Sequence, residues 1–242
     1  FPAVYDMLSR MKAKLDAGRA ILYQTARYVD IYKALDDIAR ERKLTPEERQ
    51  EQKKYTRLAD AFTPLAKGMN SEYANQNAYD AIQIHGGSGF IMEYKSQRLY
   101  RDARIFSIYE GTTQLQVVAA IRYITNGTYL SIMKEMMERP ICECAQPMRD
   151  RIAKLIAIYE DAINYVKEQN DQALQDFLAR RLYEMTADII MSILLLEDAT
   201  RAPELFKKSI NVFLRHAEAE CTAHYTYIKA MKADDLENFK AL

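Results

Sequence analysis

The sequence predicts an all-α protein in which an antiparallel helical bundle is followed by a second, smaller helical bundle. Turn-forming residues are scarce, with only 7 Gly and 6 Pro among 242 residues. Residues that favour helices, such as Ala, Leu, Glu and Lys, are abundant. Apolar residues also recur every three or four positions through most of the chain, which is the period of one helix face. These observations indicate long helices joined by few connections.

The first two predicted helices are long. The first runs from about Pro2 to Arg42 and carries an apolar stripe that we expect to face the core. The second runs from about Pro46 to Ile84, because Thr45 and Glu48 complete a capping-box sequence at its start. The glycines that follow His85 end it. The stripe of the first helix consists of Leu8, Met11, Leu15, Leu22, Ala26 and Val29.

The rest of the first half is expected to hold a loop and two further helices. Gly86 to Glu93 is predicted as the loop, and Ser96 to Asp102 as a short helix. A longer helix starts near Gly111 and ends at Asn126-Gly127, a typical C-terminal cap. Its apolar stripe consists of Leu115, Val118, Ala119, Ile121 and Ile124.

We place a domain boundary between residues 127 and 128, which gives domains of residues 1–127 and 128–242. The second domain starts with a short methionine-containing helix, continues with three long amphipathic helices and ends with a short helix. Its long helices could pack on the first domain or form a subunit contact. Their stripes are Ile152, Leu155, Tyr159, Ala162 and Val166; Leu178, Leu182, Met185, Ile189, Ser192 and Leu196; and Ile210, Leu214, Ala217, Cys221, His224, Ile228 and Met231.

Composition excludes several classes of function. The 34 basic residues balance the 34 acidic ones, so nucleic acid is not an expected partner. No apolar run reaches the roughly 18 residues that a membrane-spanning helix needs. The three cysteines favour a reducing compartment without a disulfide framework, which predicts the cytoplasm, or the mitochondrial matrix in a eukaryote. No signal peptide is recognisable, and a chain that begins at Phe1 is expected to be processed or part of something longer.

Two places where the helical pattern breaks are candidates for chemistry. The glycines between His85 and Gly89 expose backbone N–H groups that could bind a phosphate, although the motif alone favours a plain helix-to-loop turn, because glycine loops are common. Glu110 precedes Gly111 at the start of a helix. It could be a helix-start charge, or a general base with a raised pKa if it is partly removed from water.

A metal site is not expected. Four residues could in principle supply zinc ligands, but the Cys-x-Cys spacing is shorter than in usual zinc sites, and two of the four lie on an apolar stripe. These residues are Cys142, Cys144, Cys221 and His224.

Three runs of sequence, taken together, resemble the C-terminal helical domain of the acyl-CoA dehydrogenases. They are Gln83 to Phe90, Arg98 to Arg104, and Ile108 to Gln116, and their order and spacing agree with that family. Residues 128–242 resemble the additional C-terminal extension of its larger members. The resemblance implies an all-α bundle of the acyl-CoA dehydrogenase C-terminal type, followed by a second helical bundle.

The resemblance also implies a reaction. The family uses FAD to oxidise an acyl-CoA thioester to the trans-2-enoyl thioester, while a glutamate removes the α proton. That glutamate corresponds to Glu110, and Tyr109 and Gly111 would line the thioester site. Thr112 and Gln114 match positions that contact FAD in their own subunit. The positions that match contacts to the FAD of a neighbouring subunit are Gln83, Ile84, His85, Gly86 and Gly87.

Partners follow from the same resemblance: an acyl-CoA substrate, an electron-transfer flavoprotein or similar acceptor, and assembly as a homodimer or homotetramer. Family members carry an N-terminal helical domain and a middle β-domain before this region, and this sequence contains neither. We therefore expect the C-terminal part of a longer enzyme, which by itself binds FAD weakly or not at all and has no turnover. The alternative is a non-catalytic helical scaffold of the same descent.

Overall fold

The structure is a computed structural model that describes residues 1–240, apart from the side chains at positions 144 and 240. Within these residues it contains ten α-helices, two short 3-10 helices and no strand, so the predicted all-α class is confirmed. The α-helices are α1 (Pro2–Glu41), α2 (Pro46–His85), α3 (Gly87–Phe90), α4 (Ser96–Ala103), α5 (Thr113–Thr125), α6 (Thr128–Met137), α7 (Gln146–Glu168), α8 (Gln172–Arg201), α9 (Pro203–Ala230) and α10 (Ala233–Lys240). The 3-10 helices are Arg104–Ser107 and Glu143–Ala145.

Local sequence signals set the ends of these helices as predicted. The Thr45 hydroxyl accepts a hydrogen bond from the Glu48 amide (3.2 Å), and the Glu48 carboxylate accepts one from the Thr45 amide (2.8 Å). This reciprocal pair is the capping box that begins α2. Gly127 has a left-handed backbone with φ 79° between α5 and α6. The predicted stop after α5 is therefore confirmed.

The predicted loop over residues 86–93 is wrong in part, because it contains the one-turn helix α3. The cause lies at Gly89, which is buried against the end of α2. A Cβ at this position would lie 2.6 Å from the Ile82 carbonyl oxygen. The missing side chain therefore lets the chain turn back onto α2 in a short helix instead of leaving as an open loop.

The second half packs against the first. Helix α8 contacts α1, α2 and α5 of the first half as well as α7 and α9 of the second, and α9 also contacts α1. Buried residues from both halves form one hydrophobic cluster. All the stripe residues predicted for α7 and α8 are buried. The division at residue 127 stays a prediction.

Most of the stripe predicted for α1 does not face this core, although Val29 packs against it. Leu8, Leu15 and Leu22 are 49%, 44% and 49% exposed. The buried face of α1 lies on the opposite side, where Ala17 and Gly18 are among the small residues that let the neighbouring helices approach. The reason for the error is that α1 has two apolar faces, and periodicity cannot tell which one this chain covers.

Helix α5 shows the same division. Leu115 and Val118 of its predicted stripe are more than half exposed, at 57% and 58%. Its buried residues include Val117 and Ala120, which the predicted stripe left out, and Ile124, which belongs to that stripe. Both helices therefore present an apolar face that no other part of the described chain covers.

A glycine brings α2 and α8 into close contact. The Tyr183 hydroxyl on α8 is fully buried and donates a hydrogen bond to the Pro64 carbonyl of α2 (2.8 Å). A Cβ at Gly68 would lie 2.0 Å from that hydroxyl oxygen. The absence of a side chain at Gly68 is thus what admits the tyrosine between the two halves.

A polar cavity of about 280 Å³ lies where α1, α2, α8 and α9 meet. The Tyr73 hydroxyl donates to the buried carboxylate of Asp188 (2.7 Å), and the Lys14 ammonium lies 5.4 Å from the centre of the Tyr73 ring. Burial raises the pKa of Asp188 to about 7. Burial lowers the pKa of His216 to about 4, and the positive charge of Lys14 adds to that effect.

In the part of the chain that the structure describes, no helix is long and apolar enough to cross a membrane. Among the same residues, no cluster of three or more His, Cys, Asp or Glu could hold a metal ion. Cys221 is a free, buried thiol. Cys142 is disulfide-bonded, which departs from the expectation drawn from the cysteine count.

The contact at Gly68 can be tested by Gly68→Ala. The added methyl group meets the Tyr183 hydroxyl, and overpacking of this kind costs about 1–3 kcal/mol, against the roughly 1 kcal/mol that alanine gains over glycine in a helix. We expect a net loss of unfolding free energy in urea denaturation, and a smaller loss in the Gly68→Ala/Tyr183→Phe double variant than the single losses add up to. Gly87→Ala is the control, because its Cβ would meet nothing within 4 Å. If the losses of unfolding free energy in the two single variants added up strictly in the double variant, a direct contact between Gly68 and Tyr183 would be contradicted.

The cavity predicts a pH dependence of stability. Asp188 has a raised folded-state pKa of about 7, so its contribution to stability falls as pH rises from about 4 to 7. His216 has a lowered pKa of about 4, so its contribution is present above pH 6.5 and is lost as pH falls towards 4. The two contributions therefore oppose each other within the same pH window.

We expect Asp188→Asn to remove one of these opposing contributions. Relative to the unmodified protein, the variant should gain stability as pH rises from 4 to 7, by an amount on the order of a few kcal/mol, because 1 pKa unit corresponds to about 1.4 kcal/mol. Melting temperatures measured across this range provide the test. Asp37→Asn, at an exposed position of α1, is the control. If the melting temperatures of Asp188→Asn and of the unmodified protein changed with pH in parallel, the prediction would be refuted.

Candidate active site

The run of residues 106–111, which starts within the first 3-10 helix and ends just before α5, lies against α2, where one lysine holds both of its ends. The Lys67 ammonium donates to the carbonyl oxygens of Phe106 (2.7 Å) and Gly111 (2.6 Å). Hydrogen bonds from a charged donor are stronger than those between neutral groups. Lys67 therefore fixes the distance across residues 106–111, the run that contains Tyr109 and Glu110.

The backbone of this run is left-handed at two successive residues. Glu110 has φ 50° and Gly111 has φ 90°. A Cβ at Gly111 would also lie 2.8 Å from the side-chain nitrogen Nε2 of Gln116. This nitrogen donates a hydrogen bond to the Gly111 carbonyl (3.3 Å). Left-handed conformations cost of order 1–3 kcal/mol at non-glycine residues and persist only where surrounding contacts hold them. The bonds to the Gly111 carbonyl are such contacts.

Glu110 and Tyr109 are exposed, and Tyr109 is 63% exposed. The partial removal from water that a glutamate base needs is therefore not provided by this chain alone. The residues that precede them, Ile105, Phe106 and Ile108, are also exposed apolar side chains. The carboxylate of Glu110 thus stands next to an uncovered apolar surface.

Helix α2 also positions the start of α5. The Thr112 hydroxyl accepts a hydrogen bond from the Leu115 amide (3.2 Å) and so caps α5. The Thr113 hydroxyl donates to the carboxylate of Glu72 on α2 (2.6 Å). The amide of Asn75 donates to the Ser107 hydroxyl (2.9 Å). One row of polar side chains on α2 thus holds the loop and the helix that follows it.

A cleft of about 740 Å³ opens beside this loop. Thr112 and Gln114 line it, whereas Glu110 and Tyr109 do not. Four cationic side chains face the cleft against two carboxylates, which favours an anionic ligand. The cations are Arg10, Lys14, Arg104 and Arg180, and the carboxylates belong to Glu72 and Asp80.

A second, more apolar cleft of about 440 Å³ lies at the other side of a tyrosine pair. Tyr79 and Tyr100 line both clefts, and their ring centres are 6.1 Å apart in an edge-on arrangement. Gln83 lines this second cleft. The structure therefore brings Thr112 and Gln114 together in one cleft and places Gln83 in another.

The remaining predicted residues lie at the end of α2. His85 donates through Nδ1 to the Ala81 carbonyl (2.7 Å) and is exposed, while Ile84 is half-buried. Gly86 has φ 61°, and a Cβ at Gly86 or Gly87 would meet nothing within 4 Å. This end of the helix is therefore open to a molecule that approaches from outside the chain.

Sequence reasoning missed the residues that hold the site, chiefly Lys67, Glu72 and Arg180. The first two occupy polar positions of an amphipathic helix, where a charge usually indicates only a solvated face. Arg180 belongs to the second half, and nothing in its local sequence indicates that it reaches the cleft of the first.

Both halves of the chain match sequence models of known families. Residues 1–124 match the sequence model of the family described as "Acyl-CoA dehydrogenase, C-terminal domain". Residues 125–236 match that described as "Acyl-CoA dehydrogenase C terminal".

Two curated relatives match over about half of this chain. The caffeyl-CoA reductase-Etf complex subunit CarC of Acetobacterium woodii is 36% identical over 116 residues, which are 48% of this chain and 24% of the relative. The 3-methylmercaptopropionyl-CoA dehydrogenase of Ruegeria pomeroyi is 39% identical over 115 residues, which are 48% of this chain and 18% of the relative. The matched part thus spans at most about a quarter of these relatives.

Two solved structures show the same fold over 90% or more of the chain. An acyl-CoA dehydrogenase complexed with FAD from Bacillus anthracis has a TM-score of 0.70 at 21% identity. The aligned region covers 100% of this chain and 44% of the Bacillus anthracis chain. The Caenorhabditis elegans ACDH-11 in complex with C11-CoA has a TM-score of 0.62 at 19% identity. The aligned region covers 90% of this chain and 36% of the ACDH-11 chain. On the match of the family models to both of its halves, this chain belongs to the acyl-CoA dehydrogenase family.

Proposed function

We propose that this chain is the C-terminal part of a flavin-dependent acyl-CoA dehydrogenase that oxidises an acyl-CoA thioester to the trans-2-enoyl-CoA. The observation that carries the proposal is the left-handed turn at Glu110 and Gly111, which Lys67 fixes and which presents an exposed carboxylate. Strain of this kind concentrates at functional sites. A helix-start charge without a catalytic role would not require it.

Glu110 would act as the base of the reaction. Its carboxylate takes the proton from the α carbon of the thioester, and the electrons of that C–H bond form the new double bond as a hydride leaves the β carbon. FAD, when bound, would supply the acceptor for that hydride. Tyr109 and Gly111 would line the thioester, and the fixed Gly111 backbone would keep the carboxylate in place.

The residues present fit an anionic cofactor such as FAD. The cleft that Thr112 and Gln114 line carries an excess of cationic side chains, which suits a pyrophosphate. The Thr112 hydroxyl accepts the α5 capping bond, so its proton is available to donate to a ligand. Gln114 is exposed. These groups would bind and orient the cofactor of their own subunit.

The separation of the two clefts supports a homo-oligomer. Gln83 and the glycines after it lie beyond the Tyr79 and Tyr100 pair, away from Thr112. The two groups would therefore contact different cofactor molecules, one of them held by a neighbouring subunit. A relative of this chain is a subunit of a caffeyl-CoA reductase-Etf complex, which supports an electron-transfer flavoprotein as the electron acceptor.

The uncovered apolar faces support a longer protein. Leu8, Leu15 and Leu22 of α1 and Leu115 of α5 are exposed although their spacing is that of a packed stripe. Burial of such surface contributes about 25 cal/mol per Å². Further domains of the enzyme would cover these faces and, at the same time, remove Glu110 from water.

A non-catalytic scaffold remains the second candidate. The observation in its favour is that the two halves form one continuous core, so the fold of the chain does not depend on a bound ligand. In a scaffold Glu110 would have no effect on flavin chemistry. The two candidates therefore differ in the outcome of a single substitution.

That substitution is Glu110→Gln in the full-length protein. Loss of a general base costs about 10²–10⁴-fold in rate. We expect the variant to keep its FAD and to bleach at least about 100-fold more slowly when acyl-CoA is added, as measured by stopped-flow absorbance. Glu138→Gln, at an exposed position of the second half, is the control. Unchanged bleaching would assign the base to another residue, and absence of bleaching in the unmodified holoprotein would favour the scaffold.

The isolated chain of 242 residues provides a separate test. Because it lacks the domains that would enclose the flavin and the acyl chain, we expect a colourless purified protein. Titration with FAD should show no saturable quenching of flavin fluorescence at micromolar concentrations, and dye reduction with acyl-CoA should be absent. A yellow sample that reduces the dye would overturn the expectation that further domains are needed.

A further inference from the structure

A chain of polar contacts connects the start of α5 with the second half of the protein. The Thr113 hydroxyl donates to one oxygen of Glu72 (2.6 Å), and the other oxygen lies 3.6 Å from a guanidinium nitrogen of Arg180 on α8. Glu72 is only 23% exposed. A carboxylate in such a position needs a compensating charge, and Arg180 provides it.

The contacts continue beyond Arg180. Its Nε donates to one oxygen of Glu184 (2.9 Å), and the other oxygen lies 3.1 Å from Nε2 of His224 on α9. Burial alone would raise the pKa of Glu184, but the bond to His224 and the charge of Arg180 outweigh it and lower the pKa. Glu184 is therefore held as a carboxylate, and this fixes the orientation of the guanidinium that meets Glu72.

We propose that Arg180 is a positioning residue for the site of the first half, and that it acts through Glu72 and Thr113 on the turn at residues 110–112. The second half would then have a role in the reaction, although it supplies no group that reacts. The effect of Arg180 on cofactor binding rests on the proposed function. Its effect on how rigidly the turn is held does not.

The geometry of arginine suits this task. Arg180 binds two carboxylates on different helices through different nitrogens, Glu72 on α2 and Glu184 on its own helix. Because the guanidinium group is planar and rigid, the position of one carboxylate constrains the position of the other. The contact with Glu72 is the step of this path that joins the two halves, so its loss should loosen the Glu72 carboxylate and with it the Thr113 hydroxyl.

The first experiment measures hydrogen exchange of the backbone amides at residues 108–116 in the 242-residue chain. We expect Arg180→Gln to speed exchange there by about 2- to 5-fold, the factor expected when one partly exposed ion pair is lost. Arg151→Gln is the matched control, because Arg151 pairs with Glu218 through two bonds of 2.6 Å within the second half. Equal exchange in this segment for both variants would overturn the proposal.

The second experiment measures FAD affinity in the full-length holoprotein. Arg180→Gln should raise the Kd for FAD by about 2- to 5-fold, with no comparable change in Arg151→Gln. In a Thr113→Val background, Arg180→Gln should add little, because both changes interrupt the same path.

Additive losses would overturn the proposal, since they would mean that Arg180, which also lines the cleft, contacts the cofactor directly. If the unmodified holoprotein binds no FAD, the proposed function fails, and the exchange experiment still decides the role of Arg180.

Discussion

The contact on which the candidate site depends is the ammonium group of Lys67 between two backbone carbonyls. Within this run of six residues, Ile108 to Gly111 belong to no helix and include a left-handed turn. Lys67 supplies a charged donor to both ends of this run, at Phe106 and Gly111. Because Lys67 belongs to a long helix whose other faces are packed, the loop takes its position from the core of the protein.

Helix α2 is thus the common support of the molecule. Its apolar side packs against α1, α5 and α8, and its polar side holds the loop through Lys67, Glu72 and Asn75. The second half reaches both sides of this helix. It packs on the apolar side through Tyr183 at Gly68, and it meets the polar side through Arg180 at Glu72. The extension is therefore part of the framework of the site, which its sequence alone did not show.

Helix class and helix ends could be predicted, because they depend on local chemistry. The capping box at Thr45, the break at His85 and the stop at Gly127 were all visible in short runs of sequence. The stripes of α7 and α8 were also predicted correctly, since those helices have one apolar face or are buried on all sides.

Features that depend on distant residues could not be predicted. The stripe on α1 was assigned to the core because two apolar faces of one helix have the same period. The exposure of Glu110 depends on what covers it, and the role of Arg180 depends on a contact between residues far apart in sequence. Site residues came from the resemblance to a family, whereas the contacts that hold them came from the structure.

The exposed leucines of α1 have a geometric consequence. Leu8, Leu15 and Leu22 are seven residues apart, so their stripe runs nearly along the helix axis and drifts by only about 20° per repeat. A surface that covers all three must therefore follow α1 lengthwise, with the shallow crossing angle of about 20° that is typical of coiled coils. A segment that crossed α1 steeply would cover one leucine and leave its neighbours, about 10 Å away along the helix, in water.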